Sequence, residues 1–146
     1  DSNAAEGFEL SKQIVQEGSI LVKNDNNILP LDKNTQKKVN VFGHGSVDWI
    51  IGGSGSGQVQ SEPGVANILF LDALKAYGVE YNEQLITMYN NFYAPQGTKD
   101  SLNTFYQSYY QLYEPGINDA SYYTDALKNG AKNYSNIAFV VPFTFK

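Results

Sequence analysis

The sequence predicts an α/β fold, a layered sandwich in which helices flank a mostly parallel sheet. Short apolar segments of strand length alternate along the chain with segments that carry apolar residues at helical spacing. The length of 146 residues suits one domain with its own core, and a hydrophobic fraction of 42% argues against disorder. The alternation favours strands that run parallel, because helices connect them.

The first elements are predicted from apolar spacing and from turn residues. Leu10, Ile14 and Leu21 form a helical stripe, which predicts a helix over residues 5–23. The turn at 24–27 is rich in asparagine, which tolerates the left-handed region. After a polar linker, the apolar segment Val39–Phe42 has the length and composition of a buried strand.

The later elements follow from the same reasoning, with Gly78 in the position of a helix-ending glycine. Tyr123, Ala126 and Leu127 are predicted to face inward from the last helix, and the aromatic stripe at 105–113 is predicted to be core rather than a ligand site. The predicted helices cover 70–77, 85–92, 102–113 and 119–134, and the predicted strands cover 79–81 and 137–141.

A glycine-rich loop follows the first strand, and it reads Gly52-Gly53-Ser54-Gly55-Ser56-Gly57. A phosphate-binding P-loop would continue with Lys and Ser or Thr, but Gln58 and Val59 stand there. The dinucleotide fingerprint G-x-G-x-x-G also fails in every frame. Nucleotide binding is therefore disfavoured, while a flexible connector and a shaped binding loop both remain open.

Charge and composition exclude several functional classes. The net charge of −5 disfavours nucleic acid as a partner, and the absence of cysteine excludes thiolate catalysis and cysteine zinc sites. No window reaches the roughly 18 apolar residues of a membrane span. His44, the single histidine, lacks partners at metal-ligand spacing, so we expect a structural or solvent role for it, with no metal and no cofactor. Trp49 lies between apolar neighbours and is predicted to be a core or interface residue.

Two segments together resemble a known family. Residues 16–31 read Gln-Glu-Gly-Ser-Ile-Leu-Val-Lys-Asn-Asp-Asn-Asn-Ile-Leu-Pro-Leu, and residues 39–43 read Val-Asn-Val-Phe-Gly before the glycine-rich loop. In order and spacing these segments resemble the start of the second domain of glycoside hydrolase family 3, the β-glucosidase-like enzymes. The resemblance is good over about residues 5–80, looser over 117–141, and slight over 82–116.

The resemblance implies an incomplete fragment of a six-stranded α/β sandwich over residues 5–146. Residues 1–4 are predicted to be an expression-tag remnant, because Ser2-Asn3-Ala4 has the letters that a vector leaves. Both catalytic carboxylates of the family are expected to lie outside this chain, the nucleophile in a separate barrel domain. Neither the compartment nor the natural termini follow from the sequence, so a cytoplasmic and a secreted protein both stay open.

The expected function is hydrolysis of O-glycosidic bonds by the whole protein, with this chain bordering the active site of the barrel. The predicted substrate-binding residues are Gly52, Gly53, Ser54, Gly55 and Ser56. The alternative is a non-catalytic carbohydrate-binding or interaction module of the same fold. The expected partners are a carbohydrate together with the barrel of the same polypeptide, and a second chain at an exposed sheet edge.

Overall fold

The computed structural model describes residues 2–32, 34–47, 68–93 and 114–141. The chain divides into two units, Asp1–Leu31 and Asp32–Lys146. The predicted helix at 102–113, Trp49 and the whole glycine-rich loop lie outside the described residues. The predictions made for them therefore stay predictions.

The first unit contains helix α1, Ser2–Gly18, and the 3₁₀ turn Asp25–Asn27. The predicted end of the helix at residue 23 is wrong, because the helix stops at a glycine, a poor helix former. The Ser19 hydroxyl then donates to the carbonyl of Val15 at 2.7 Å and satisfies one of the last free acceptors. The apolar stripe of α1 is exposed in this unit; Leu10 and Ile14 are 57% and 61% exposed.

In the described residues of the second unit, three parallel strands form a sheet. They are β1, Lys38–Phe42, β2, Glu80–Tyr81, and β3, Ala138–Val140, in the order β2-β1-β3. Val39 lies opposite Tyr81, and Val41 lies opposite Phe139. Both pairings are parallel, which confirms the predicted α/β class with a parallel sheet flanked by helices.

The α-helices within the described ranges of this unit are α2, Phe70–Ala76, α3, Glu83–Tyr93, and α4, Asp125–Tyr134. Gly78 has φ +81°, as expected of a glycine that ends a helix. The predicted start of the last helix at 119 is wrong, because the hydroxyl of Thr124 accepts the amide of Leu127 at 3.1 Å and caps the helix there.

The inward-facing residues of this segment were predicted in part. Tyr123 is buried and Leu127 is half-buried, as expected, but Ala126 is exposed and its prediction is wrong. Ala131 is buried instead. Leu127 and Ala131 are four residues apart and share one face of α4, whereas Ala126 is turned about 100° away from Leu127.

The two faces of β1 have different neighbours. Val39 and Val41, both 0% exposed, belong to an apolar cluster with Phe70, Leu71 and Leu74 of α2. The side chain of Asn40 contacts α4 instead. Successive side chains of a strand point to opposite faces, so α2 covers one face and α4 the other.

Asn40 is a buried polar residue in the central strand, and all its hydrogen-bonding groups have partners. Its amide nitrogen donates to the carbonyls of Ala131 and Ser135, both at 2.8 Å. Its oxygen accepts from the side-chain nitrogen of Asn82 at 3.0 Å. Asn82 in turn accepts the backbone amide of Gln84 at 3.1 Å, in the first turn of α3. One side chain thus ties β1 to the end of α4 and to the start of α3.

The sheet has two outer strands, β2 and β3, within the described ranges. Val140 of β3 is 67% exposed. The expected pairing of such an edge with a second chain stays a prediction. In the described part of the chain, no helix combines the length and the apolar character needed to cross a bilayer.

Val41→Asp tests the position of β1. A carboxylate at this site would be buried without a partner, so we expect a loss of several kcal/mol in the free energy of unfolding. Val22, which is 92% exposed, provides a matched control, because Val22→Asp makes the same chemical change at the surface. Urea denaturation followed by circular dichroism measures both. A Val41→Asp protein as stable as the control would contradict the strand assignment.

Candidate functional site

The candidate site lies at the carboxyl end of β1. The strand ends at Phe42, Gly43 follows, and the 3₁₀ turn His44–Ser46 comes next. In open parallel sheets, ligand crevices lie beyond the carboxyl ends of the strands. The chain after this turn continues into the segment that carries the predicted glycine-rich loop.

Gly43 is required by its surroundings and by its backbone conformation. Its φ is +97°, a value that residues with a side chain rarely adopt. A Cβ built on it would lie 2.5 Å from the carbonyl oxygen of Val141, just beyond β3. The absence of a side chain therefore lets the turn pass directly against the end of the neighbouring strand.

Three successive backbone amides of the turn are held by three different elements. Gly43 N–H donates to the hydroxyl of Tyr89 on α3 at 2.8 Å. His44 N–H donates to Oε1 of Glu114 at 2.5 Å, and Gly45 N–H donates to the carbonyl of Val141 at 3.0 Å. The partners are a hydroxyl, a carboxylate and a backbone carbonyl. The path of the turn is thereby fixed from three sides.

The hydroxyl that holds Gly43 is half of a tyrosine pair. The oxygens of Tyr89 and Tyr123 are 2.8 Å apart, and the two residues are 1% and 6% exposed. Burial raises the pKa of both hydroxyls above the ordinary tyrosine value, and for Tyr89 the hydrogen bond with Tyr123 raises the pKa further. Both groups are therefore neutral hydrogen-bonding groups over the physiological range.

Aromatic rings surround the turn. The His44 ring lies 4.1 Å from the Tyr93 ring, centroid to centroid, at an interplanar angle of 59°. Phe92 contacts Tyr93 and Tyr122 edge to face, at 4.9 and 4.8 Å. Phe92, Tyr93 and Tyr122 are each half-buried, so part of each side chain reaches the surface. The carboxyl end of the sheet thus combines ring surface with the carboxylate of Glu114.

The turn also contains a buried hydroxyl, that of Ser46, without a hydrogen-bond partner among the described residues. Ser46 is 5% exposed, and its Oγ has no hydrogen-bond partner among the residues that the structure describes. A buried hydroxyl in that state costs free energy relative to a bonded one. Because Ser46 Oγ is buried, we do not count it as part of the candidate binding surface.

These contacts favour a neutral ligand over an anion. A phosphate-binding loop offers free backbone amides, whereas the amides of Gly43, His44 and Gly45 are all bonded within the protein. The carboxylate of Glu114 would also repel a phosphate. In the described ranges no three His, Cys, Asp or Glu residues are grouped as a metal site would need.

A cavity of about 650 Å³ lies elsewhere, beside β2. Its charged groups contact each other: Lys75 Nζ lies 3.8 Å from a carboxylate oxygen of Glu83 and 4.9 Å from the centre of the Tyr81 ring. Volume alone would favour this cavity. We place the candidate site at the turn, because the turn combines buried polar groups with half-buried rings at the carboxyl end of the sheet.

The sequence predictions for the site are tested only in part. The tentative substrate residues Gly52, Gly53, Ser54, Gly55 and Ser56 lie outside the described residues. His44 is buried against an aromatic ring, in agreement with the structural role expected of it. Sequence reasoning missed Glu114 and Tyr89, because their partners lie 70 and 46 residues away along the chain. The one sequence signal near Glu114 is the Pro115-Gly116 pair that follows it, which was predicted to end a helix.

Comparison with known proteins finds an informative relationship. Beta-glucosidase A of Butyrivibrio fibrisolvens is 36% identical to this chain over 91 residues, which are 61% of the chain and 10% of that protein. No protein-family model matches the sequence, and no solved structure matches it. The identity shows a relationship to a glycosidase. Because the match spans only about a tenth of the relative, the activity, the family and the role of the domain are matters for proposal.

The buried tyrosine pair predicts an alkaline loss of stability. The pKa of Tyr89 is raised in the folded state, so its neutral hydroxyl contributes fully to the free energy of unfolding below the tyrosine pKa of the unfolded chain, about 10. This contribution declines as the pH rises from that value through the pKa of the folded state. Tyr89→Phe removes one ionisable group, so it should reduce the slope of the unfolding free energy against pH by roughly 1.4 kcal/mol per pH unit, the effect of one proton.

The measurement is urea denaturation at several values between about pH 8 and pH 11, chosen to bracket the unfolded tyrosine pKa. Tyr77→Phe is the matched control, since it makes the same chemical change at a tyrosine that is 69% exposed. Equal slopes for Tyr89→Phe and the control would contradict the burial of Tyr89.

Proposed function

We propose that this chain is part of a β-glucosidase-like glycoside hydrolase of family 3, which hydrolyses O-glycosidic bonds. In this proposal the chain is the start of the α/β sandwich domain that borders the active site of a barrel domain in the same polypeptide. The observation that carries the proposal is the identity to a β-glucosidase. The parallel sheet, with a structured turn at its carboxyl end, supports it, because such an end suits the border of a substrate site.

The proposal assigns no catalytic residue to this chain. Cleavage of a glycosidic bond needs two carboxyl groups at a set separation. The described contacts of the turn bring in one carboxylate, that of Glu114. The nucleophile and the acid/base are therefore expected outside these residues, as the resemblance to the family implies.

A second candidate is a non-catalytic carbohydrate-binding module of the same fold. The aromatic rings around the turn favour it, since ring surface beside a single carboxylate suits binding without cleavage. The two candidates differ in whether a catalytic barrel accompanies the chain.

Hydrolysis assays separate these functions. The 146-residue chain alone should release no phenol from aryl β-glucosides, whereas the same chain produced with the rest of its natural polypeptide should release it. A preparation made in the same way from cells that carry an empty vector controls for contaminating enzyme. Turnover by the chain alone that is lost on mutating one of its own carboxylates would overturn the assignment of catalysis to the barrel. Inactivity of the complete polypeptide towards all glycosides would favour the binding module.

The tentative substrate role of Ser54 has its own test in the complete polypeptide. Ser54→Trp should add a stacking surface beside the leaving group and lower KM for aryl β-glucosides by roughly two- to tenfold. Ser11→Trp on exposed α1 is the control, and melting curves separate local from global damage. If Ser54→Trp leaves KM and kcat at the values of the control, the glycine-rich loop is a connector and Ser54 is not a substrate residue.

A further inference from the structure

We propose that Glu114, together with the rings beside His44, forms a binding subsite for a neutral polyhydroxylated ligand, a pyranose sugar. This inference rests on the proposed function and adds to it residues that neither the family resemblance nor the glycine-rich loop assigns. It concerns binding only, so Glu114 is given no role in bond cleavage.

The carboxylate of Glu114 is anchored at one oxygen and available at the other. Oε1 accepts the amide of His44 at 2.5 Å, and this is a short, charge-assisted bond to a buried backbone group. Oε2 has no hydrogen-bond donor in the described ranges, and the residue as a whole is exposed. A carboxylate held in this way presents a fixed acceptor to solvent, and sugar hydroxyls are suitable donors for it.

Ring surface lies next to this acceptor. His44 connects the two features, because its backbone amide contacts Glu114 and its ring contacts Tyr93. Phe92 and Tyr122 extend the cluster from Tyr93. A pyranose has an apolar face and a rim of hydroxyls, so an aromatic surface beside a hydrogen-bond acceptor matches both parts of it.

The tyrosine pair leaves a further donor at the same end of the sheet. Tyr89 and Tyr123 have two hydroxyl protons, and only one of these can lie in the bond between their oxygens. Gly43 N–H donates a hydrogen bond to the Tyr89 hydroxyl, so it cannot accept one from either tyrosine. The second hydroxyl proton is therefore left for an acceptor outside the pair. Because the two residues are 1% and 6% exposed, this proton is buried, and the exposed polar group of the subsite is the carboxylate of Glu114.

The negative charge of Glu114 disfavours an anionic ligand at this place. An anion such as phosphate would meet the Glu114 carboxylate and would find the amides of Gly43, His44 and Gly45 already bonded. Repulsion between the Glu114 carboxylate and a phosphate bound beside it would be unfavourable even near the surface. We therefore expect a neutral sugar to bind and phosphate not to bind at the same place.

The test is an NMR titration of the complete 146-residue chain with methyl β-D-glucopyranoside, and separately with inorganic phosphate. In the parent, the sugar should shift the backbone amide signals of residues 43–47. Glu114→Gln keeps an oxygen for the His44 amide but replaces the free acceptor by a donor. This variant should stay folded and bind the sugar about tenfold or more weakly, as expected for loss of a hydrogen bond to a charged group.

Glu80→Gln is the matched control, because Glu80 is an exposed glutamate on β2 and the change removes the same charge. Its affinity should stay within about twofold of the parent. A melting curve of each variant shows whether the fold is kept. Glu114→Ala gives a second reading: it leaves the His44 amide without its acceptor, so it should both lower stability and abolish binding.

Three results would overturn the inference: no sugar-induced shift at residues 43–47 in the parent, equal affinities of Glu114→Gln and the parent, or equal binding of phosphate. These outcomes are separate from the fate of the proposed function. Hydrolysis by the complete polypeptide without any effect of Glu114→Gln on KM would remove the subsite alone. Sugar binding through Glu114 without hydrolysis by the complete polypeptide would remove the glycosidase proposal alone.

Discussion

The structure of the second unit depends on how Asn40 is satisfied in the middle of β1. A polar side chain at a buried strand position is destabilising unless its groups are bonded. Here each donor and acceptor reaches a helix end or a capping residue, so the position of β1 is coupled to α3 and α4 at once. The elements that complete the turn after β1, α3 with Tyr89 and the segment that leads into α4, are therefore placed by the same network. A strand with only apolar side chains would pack as well but would fix the helices less specifically.

The turn shows how one backbone path can exclude one ligand class and favour another. A glycine-rich turn after a parallel strand is a common place for phosphate, since free amides collect there. In this protein the amides are bonded internally, and the strongest acceptor on them is a carboxylate. The negative charge and the surrounding rings then favour an uncharged, partly apolar ligand. The relationship to a glycosidase agrees with this chemistry but was established independently of it.

Residue spacing and turn chemistry predicted much of the described fold, but they did not predict the contacts of the candidate site. Val39–Phe42 and the glycine at 78 were predictable, because period, length and turn chemistry act over a few residues. The start of α4 was missed by several residues, since Thr124 competes with equally suitable capping residues before it. Glu114 and Tyr89 could not be predicted, because nothing in a single sequence indicates which distant side chain meets a given amide. Asn40 looks like an interruption of an apolar strand until its partners on α4 are known.

The three contacts that fix the turn also have a kinetic meaning. The bonds from Gly43 and His44 close loops of 46 and 70 residues, and the bond from Gly45 to Val141 closes a still longer one. Loop closure carries an entropic cost that must be met before such contacts contribute, and proteins rich in distant contacts fold slowly. The carboxyl end of the sheet is thus the last part expected to assemble, after the local helices and β1 have formed. Until then the aromatic rings at this end of the sheet are exposed, which makes the order of folding, as much as the final geometry, a constraint on the turn.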